Sequence, residues 1–191
     1  MKDFQEYCPK NKDEWRAWLS LNHVKEEAVW LVFYKKKSPN FNLSWSDSVD
    51  EALCFGWIDS VKKSIDEERY KQYFCKRKVK SIWSKVNKDK VKALTDQGLM
   101  KAEGNKSVAI AKENGSWNTL DEVEALVTPD DLKEEFLNHK GALDFFEGLS
   151  KSVKKNLLYW VMSAKREETR NKRILEVAKN ASENLKPKQF R

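Results

Sequence analysis

Ser48-Val-Asp-Glu-Ala-Leu-Cys-Phe-Gly-Trp-Ile-Asp-Ser60 holds a short helix, a glycine stop and the opening of a strand. Ser48 followed three residues later by Glu51 is a capping box, which predicts a helix starting at Ser48. Val49, Ala52, Leu53 and Phe55 give that helix an apolar face, and Gly56 can take the left-handed conformation that ends it. Trp57, Asp59 and Val61 then alternate with Ile58, Ser60 and Lys62 at the period of a strand.

Upstream, Asp13–Leu21 places Trp15, Trp18 and Leu19 at helical spacing, and Asn22-His23 closes that helix. Ala28–Tyr34 is apolar throughout and rich in β-branched and aromatic residues, as in a strand covered on both faces. Downstream, Trp57–Ile65 and Tyr70–Cys75 read as two strands joined by a loop at Asp66–Arg69. From Lys76 onward the pattern turns helical. Asn87 caps a predicted helix to Gln97, and Asn105–Asn114 forms another that ends at Gly115. Thr128-Pro129-Asp130-Asp131 starts a third, with Leu132, Phe136 and Leu137 on its buried side. Gly141–Leu149, Lys151–Ala164 and Arg166–Asn184 follow, and Pro187 ends the pattern. The expected fold is α+β: a small antiparallel sheet with helices over residues 1–117, a C-terminal helical bundle over 118–187, and a disordered tail at 188–191.

A chain of 191 residues with 40% hydrophobic content, 8 Trp, 9 Phe and 5 Tyr can bury a core. Three scattered cysteines and no apolar leader predict reduced thiols in a cytoplasmic protein, and no stretch is long enough to span a bilayer. The net charge of +7 is unevenly spread. Residues 62–92 and 150–191 each sum to +8, whereas residues 119–147 sum to −7. Such runs are either solvated faces that pair with one another or surfaces for an anionic partner.

Candidate chemistry is sparse. Cys54, with His23 as a distant base, is the one nucleophile candidate, yet its place between Leu53 and Phe55 suits a buried hydrophobe. Two histidines and three cysteines show no metal-ligand spacing, and the single glycines form no phosphate loop, so no metal or cofactor is expected. Asp59 and Ser60 beside Trp57 can form a polar corner in an aromatic pocket, or a capped turn. Arg77, Lys78, Lys80 and Lys85 around Trp83 can hold phosphates while the indole stacks on a base, or can be a solvated loop over a core tryptophan. Lys165, Glu168, Arg170 and Arg173, with Thr169, form either an ion-pair knot docking the tail bundle or a clamp for a carboxylate or phosphate.

Several stretches together resemble one family. They are Trp15-x-x-Trp18-Leu19, Asn22-His23, Val29-Trp30-Leu31-Val32, Glu51–Ser60, Ser81-x-Trp83-Ser84-x-x-Asn87, Gly115-x-Trp117, Tyr159-Trp160-Val161 and Ala164–Ile174. Over roughly residues 12–180 their order and spacing resemble the YdeI/OmpD-associated, or bacteriocin-protection, family of bacterial proteins. That resemblance implies an association with resistance to cationic antimicrobial peptides and bacteriocins and with an outer-membrane porin. It supplies no catalytic residues and no cofactor. A chain of +7 does not sequester cationic peptides by bulk charge. The expected function is therefore non-enzymatic binding of an anionic or peptide partner, the peptide lying along 119–147. The alternatives are an anionic small-molecule site or unrecognised enzyme with a pocket between the two halves, near Trp57, Asp59, Lys165 and Arg170, and a nucleic-acid binder acting through residues 62–92.

Overall fold

The computed structural model describes residues 4–191. These residues fall into two compact units, 4–118 and 119–191. The first is built on a four-stranded sheet in the order β1-β2-β4-β3. Its strands are β1 (Glu6–Tyr7), β2 (Ala28–Tyr34), β3 (Trp57–Ser64) and β4 (Arg69–Lys76). β3 and β4 form the expected antiparallel hairpin, and β4 also pairs antiparallel with β2. The short β1 runs parallel to β2, which makes the sheet mixed rather than purely antiparallel. Two residues are too few to show a strand period, so the sequence carries no mark of β1.

One face of the sheet carries Leu31, Gln72, Phe74 and Trp57, and there the helices α1 (Lys12–Asn22) and α2 (Trp45–Cys54) build the core. The indole of Trp15 meets Phe74 edge-on at 5.5 Å and donates from Nε1 to the carbonyl of Ser48 at 3.0 Å. Trp18 stacks on Trp15 and meets Trp57 edge-on. The apolar residues that gave α1 its helical period thus anchor it to the sheet.

The start of α2 corrects the sequence reading. Its N-cap is Ser44, whose hydroxyl accepts from the Asp47 amide, and Ser44-x-x-Asp47 occupies the positions assigned to Ser48 and Glu51. Ser48 lies inside the helix, fully buried, and donates back to the Trp45 carbonyl at 2.6 Å. Glu51 is buried as well and is ion-paired to Lys12 and Arg16 of α1. Ser48-x-x-Glu51 has the spacing of a capping box, but both residues are buried inside the helix. Gly56 then takes φ +74, as the stop requires.

α3 (Lys85–Asp96) is likewise capped by Ser84 rather than Asn87, and α4 (Ala102–Glu113) starts three residues before the expected Asn105. Gly104 lies within α4 because the helix crosses the end of α2 there. A Cβ on Gly104 would stand 2.3 Å from the Cys54 carbonyl oxygen, and one on Gly56 would stand 2.9 Å from that of Glu103. Two missing Cβ atoms therefore seat the first turn of α4 on the α2–β3 turn.

The second unit is helical: α5 (Asp121–Glu124), α6 (Asp130–Leu137), α7 (Ala142–Gly148), α8 (Lys151–Met162) and α9 (Glu167–Ser182). α9 buries Ile174, Val177, Ala178 and Ala181, the residues its period selected, and Ser150 caps α8 as expected. Leu137, expected on the buried side of α6, is 81% exposed because that helix ends there. The last residues, expected to trail off as a disordered tail, form a 3-10 turn at Lys188–Phe190 that sets Phe190 edge-on against Trp160. No helix among the described residues is long and apolar enough to cross a membrane.

Candidate functional site

The best-formed concavity lies within the first unit. It is a cleft of about 380 Å³ whose walls come from the α1–β2 turn, the α2–β3 turn, the segment after β4, and α4. Phe55, Trp57 and Trp83 supply much of its apolar surface, and its charge comes from Lys76, Arg77, Lys78 and Lys106 with one acid, Glu103. Lys106 and Ser107 reach it because Gly56 and Gly104 let α4 approach the α2–β3 turn.

Arg77 is the unusual group here. Its backbone amide donates to the Gly56 carbonyl at 2.9 Å, continuing the β3–β4 ladder past the strand end. Its guanidinium lies over Trp83, 3.6 Å from the ring centroid, and Nη2 donates to the Ile82 carbonyl at 2.7 Å. Nε and Nη1 are buried with no hydrogen-bond partner. Burial pushes its pKa down to about 10, and the Asp59 carboxylate offsets only part of that effect. Two guanidinium nitrogens deprived of both water and acceptors are an energetic deficit that an anion would relieve. Lys78 makes no ion pair among the described residues, whereas Lys76 is held by Glu27 at 2.6 Å and Lys106 stands 3.7 Å from Glu103.

Of the residues singled out from the sequence, Trp57, Arg77, Lys78 and Trp83 meet at this cleft. Lys80 stands exposed in the following turn, and Lys85 opens α3, ion-paired with Asp89. Asp59 is half-buried on β3, and its Oδ2 accepts from both Trp45 Nε1 and Gln72 Nε2 at 2.9 Å. Ser60 is exposed, and its carbonyl accepts from Gln72. The Lys165–Arg173 group lies in the helical unit. There Arg170 forms a two-pronged pair with Asp131 at 2.6 and 2.9 Å, joining α9 to α6. Arg173 donates to the Trp160 carbonyl at 2.5 Å, and Glu168 holds Lys172. Lys165 is exposed. Cys54 is fully buried, and burial pushes its thiol pKa up, the reverse of what a nucleophile needs. The charge clamp is thus an internal tie of the helical unit, and the cysteine is a core residue.

The acidic run meets the same fate. Glu124 pairs with Lys155, Asp130 with Lys133, Asp131 with Arg170, Glu135 with His139 and Glu147 with Lys154. Among the described residues, no group of three or more His, Cys, Asp or Glu side chains is placed to hold a metal ion.

Residues 7–107, just over half of the chain, match the family described as a domain of unknown function (DUF8412). Residues 125–184 match the family described as bacteriocin-protection, YdeI or OmpD-associated. The chain belongs to the DUF8412 family and carries a bacteriocin-protection family domain. No curated protein and no solved structure matches it. The resemblance read over residues 12–180 therefore resolves into two segments. The motifs from Trp15 to Asn87 fall in the DUF8412 portion, and those from Tyr159 to Ile174 in the bacteriocin-protection domain. All of the cleft's charged side chains belong to the DUF8412 portion. Sequence reasoning missed Lys106 and Ser107, which sit on a helix that its period placed too late and which nothing linked to Arg77.

Proposed function

We propose that this chain is a non-enzymatic binding protein whose DUF8412 portion receives an anionic group, a carboxylate or a phosphate, in the cleft around Arg77. The supporting observation is a guanidinium stacked on Trp83 with two buried, unpartnered nitrogens at the edge of a basic, aromatic cleft. Its two outward neighbours in charge, Lys78 and Lys106, add to the field that an anion would meet. Bacteriocin protection, the property in the description of the C-terminal family, would then follow from this binding rather than from mopping up cationic peptides. The net charge of +7 opposes such sequestration, and Glu124, Asp130, Asp131 and Glu147 of the acidic run already hold cations of their own unit.

The test is calorimetric titration of the purified protein with inorganic phosphate and with a simple aromatic carboxylate. The Arg77→Met variant keeps an apolar stem over Trp83 and removes the charge. A charge with two buried, unpartnered donors adds little to stability, so thermal unfolding of the variant should match or exceed the parent while anion binding is lost. Unchanged binding in the variant would sink the proposal. So would a large loss of stability, because Arg77 would then be a structural pin.

A further inference from the structure

The face of the sheet turned away from α1 and α2 carries a second feature that the cleft does not use. A sheet packed on one side is normally polar on the other. Here the cross-strand neighbours Trp30 of β2 and Tyr73 of β4 stand in register at the centre of that face, their rings 5.1 Å apart and edge to face. Phe4 adds its ring to Tyr73 at 5.5 Å. The next row along the strands is Val32, Lys71 and Lys63, again in register. The ammonium groups of Lys63 and Lys71 lie 5.0 and 5.1 Å from the Trp30 ring. The nearest acid is Glu6, opposite Trp30 on β1, which pairs with Lys71. Lys63 makes no ion pair among the described residues, so the indole face is its recorded partner.

We propose that this face is a platform for single-stranded nucleic acid. Its half-buried apolar groups are ring planes, which match the faces of unpaired bases. Its cations stand one row away, where the phosphates of a strand lying across β2 and β4 would pass, and Lys63 has no carboxylate to give up. A duplex hides its base faces within the stack, so the aromatic row selects against it. An anionic membrane would be met better by projecting aliphatic side chains than by half-buried rings.

The test is fluorescence anisotropy of a labelled oligothymidine, with the matching duplex and anionic phosphatidylglycerol vesicles as competitors, at several salt concentrations. The full chain should bind the single strand and lose affinity linearly with the logarithm of salt. Trp30→Leu should weaken binding at least about fivefold, the lower bound for losing one stacked base. Exchanging Lys63 and Lys71 together for alanine should reduce the log–log salt slope by about 1.4, two phosphate contacts on a single strand. Glu6→Gln, which frees Lys71 without touching the rings, should raise affinity, and it guards against a Trp30 variant that fails to fold. Any of four results would overturn the proposal: no binding at low salt, equal binding of duplex, vesicles competing as well as the single strand, or a salt slope indifferent to both lysines.

Discussion

At the scale of single residues, the telling contrast is between two charges, Glu51 and Arg77. Glu51 is 1% exposed and holds Lys12 and Arg16 of the neighbouring helix, while Arg16 also donates to the Leu99 carbonyl at 2.9 Å. Arg77 is half-buried, and two of its donors, Nε and Nη1, are buried without a partner. The first is a completed network and the second is an incomplete one, and they should respond to mutation in opposite ways. Glu51→Ala leaves two cations facing a dry pocket and should lower unfolding free energy by about 2–3 kcal/mol in urea melts. That value sits at or below the usual range for a broken buried pair, because Lys12 can reach water. A loss under 1 kcal/mol would mean that the cations relax into solvent. Neither role was legible in the sequence. Glu51 looked like a cap because a carboxylate three residues after a serine is one, and only α1 packing alongside shows what it pairs with. The Arg77–Trp83 pair was visible as a basic stretch with an aromatic in it, but not the burial that makes its charge unusual.

At the scale of elements, type and order were legible nearly everywhere, whereas starts were not. Ala28–Tyr34 came out as a strand because β-branched and aromatic residues without a polar break leave little else. The three misplaced helix starts share one cause: Ser44, Ser84 and Lys101 begin helices whose first turns carry few apolar residues, so periodicity registers only one turn later. The assignment of the α2 cap is testable. Ser44→Ala removes the acceptor for the Asp47 amide and should lower stability by about 1 kcal/mol. Ser48→Ala removes only a hydroxyl whose proton is spent on a carbonyl within its own helix, and should lower it less. Equal losses in the two variants, read from thermal melts, would count against Ser44 as the cap.

For the molecule as a whole, the acidic run 119–147 and the basic run 150–191 meet as ion pairs inside the helical unit. Asp131 and Arg170 show this most clearly. The guanidinium holds the Asp131 carboxyl below its ordinary range, and the carboxylate in turn holds Arg170 charged. A folded-state pKa below the unfolded one stabilises the fold above the unfolded value of about 3.9 and stops doing so as pH falls through the folded value. Asp131→Asn should therefore be less stable than the parent at pH 7. Solvent screening keeps the difference within about 1 kcal/mol, and the gap should close as pH falls through the lowered Asp131 pKa. A gap that persists in acid melts would assign the effect to hydrogen bonding rather than charge. That the runs balance was legible as a possibility in the counts, but which lysine meets which carboxylate depends on helix packing that no local pattern encodes.

The guanidinium over Trp83 also has an optical consequence. An indole's excited state shifts its electron density across the ring system, so a fixed cation 3.6 Å from the ring centroid tunes the colour of its emission. An anion arriving at Arg77 would cancel part of that field. Trp83 should then change emission wavelength on ligand binding and stay silent in Arg77→Met, which would make the protein its own spectroscopic indicator of occupancy among its 8 tryptophans.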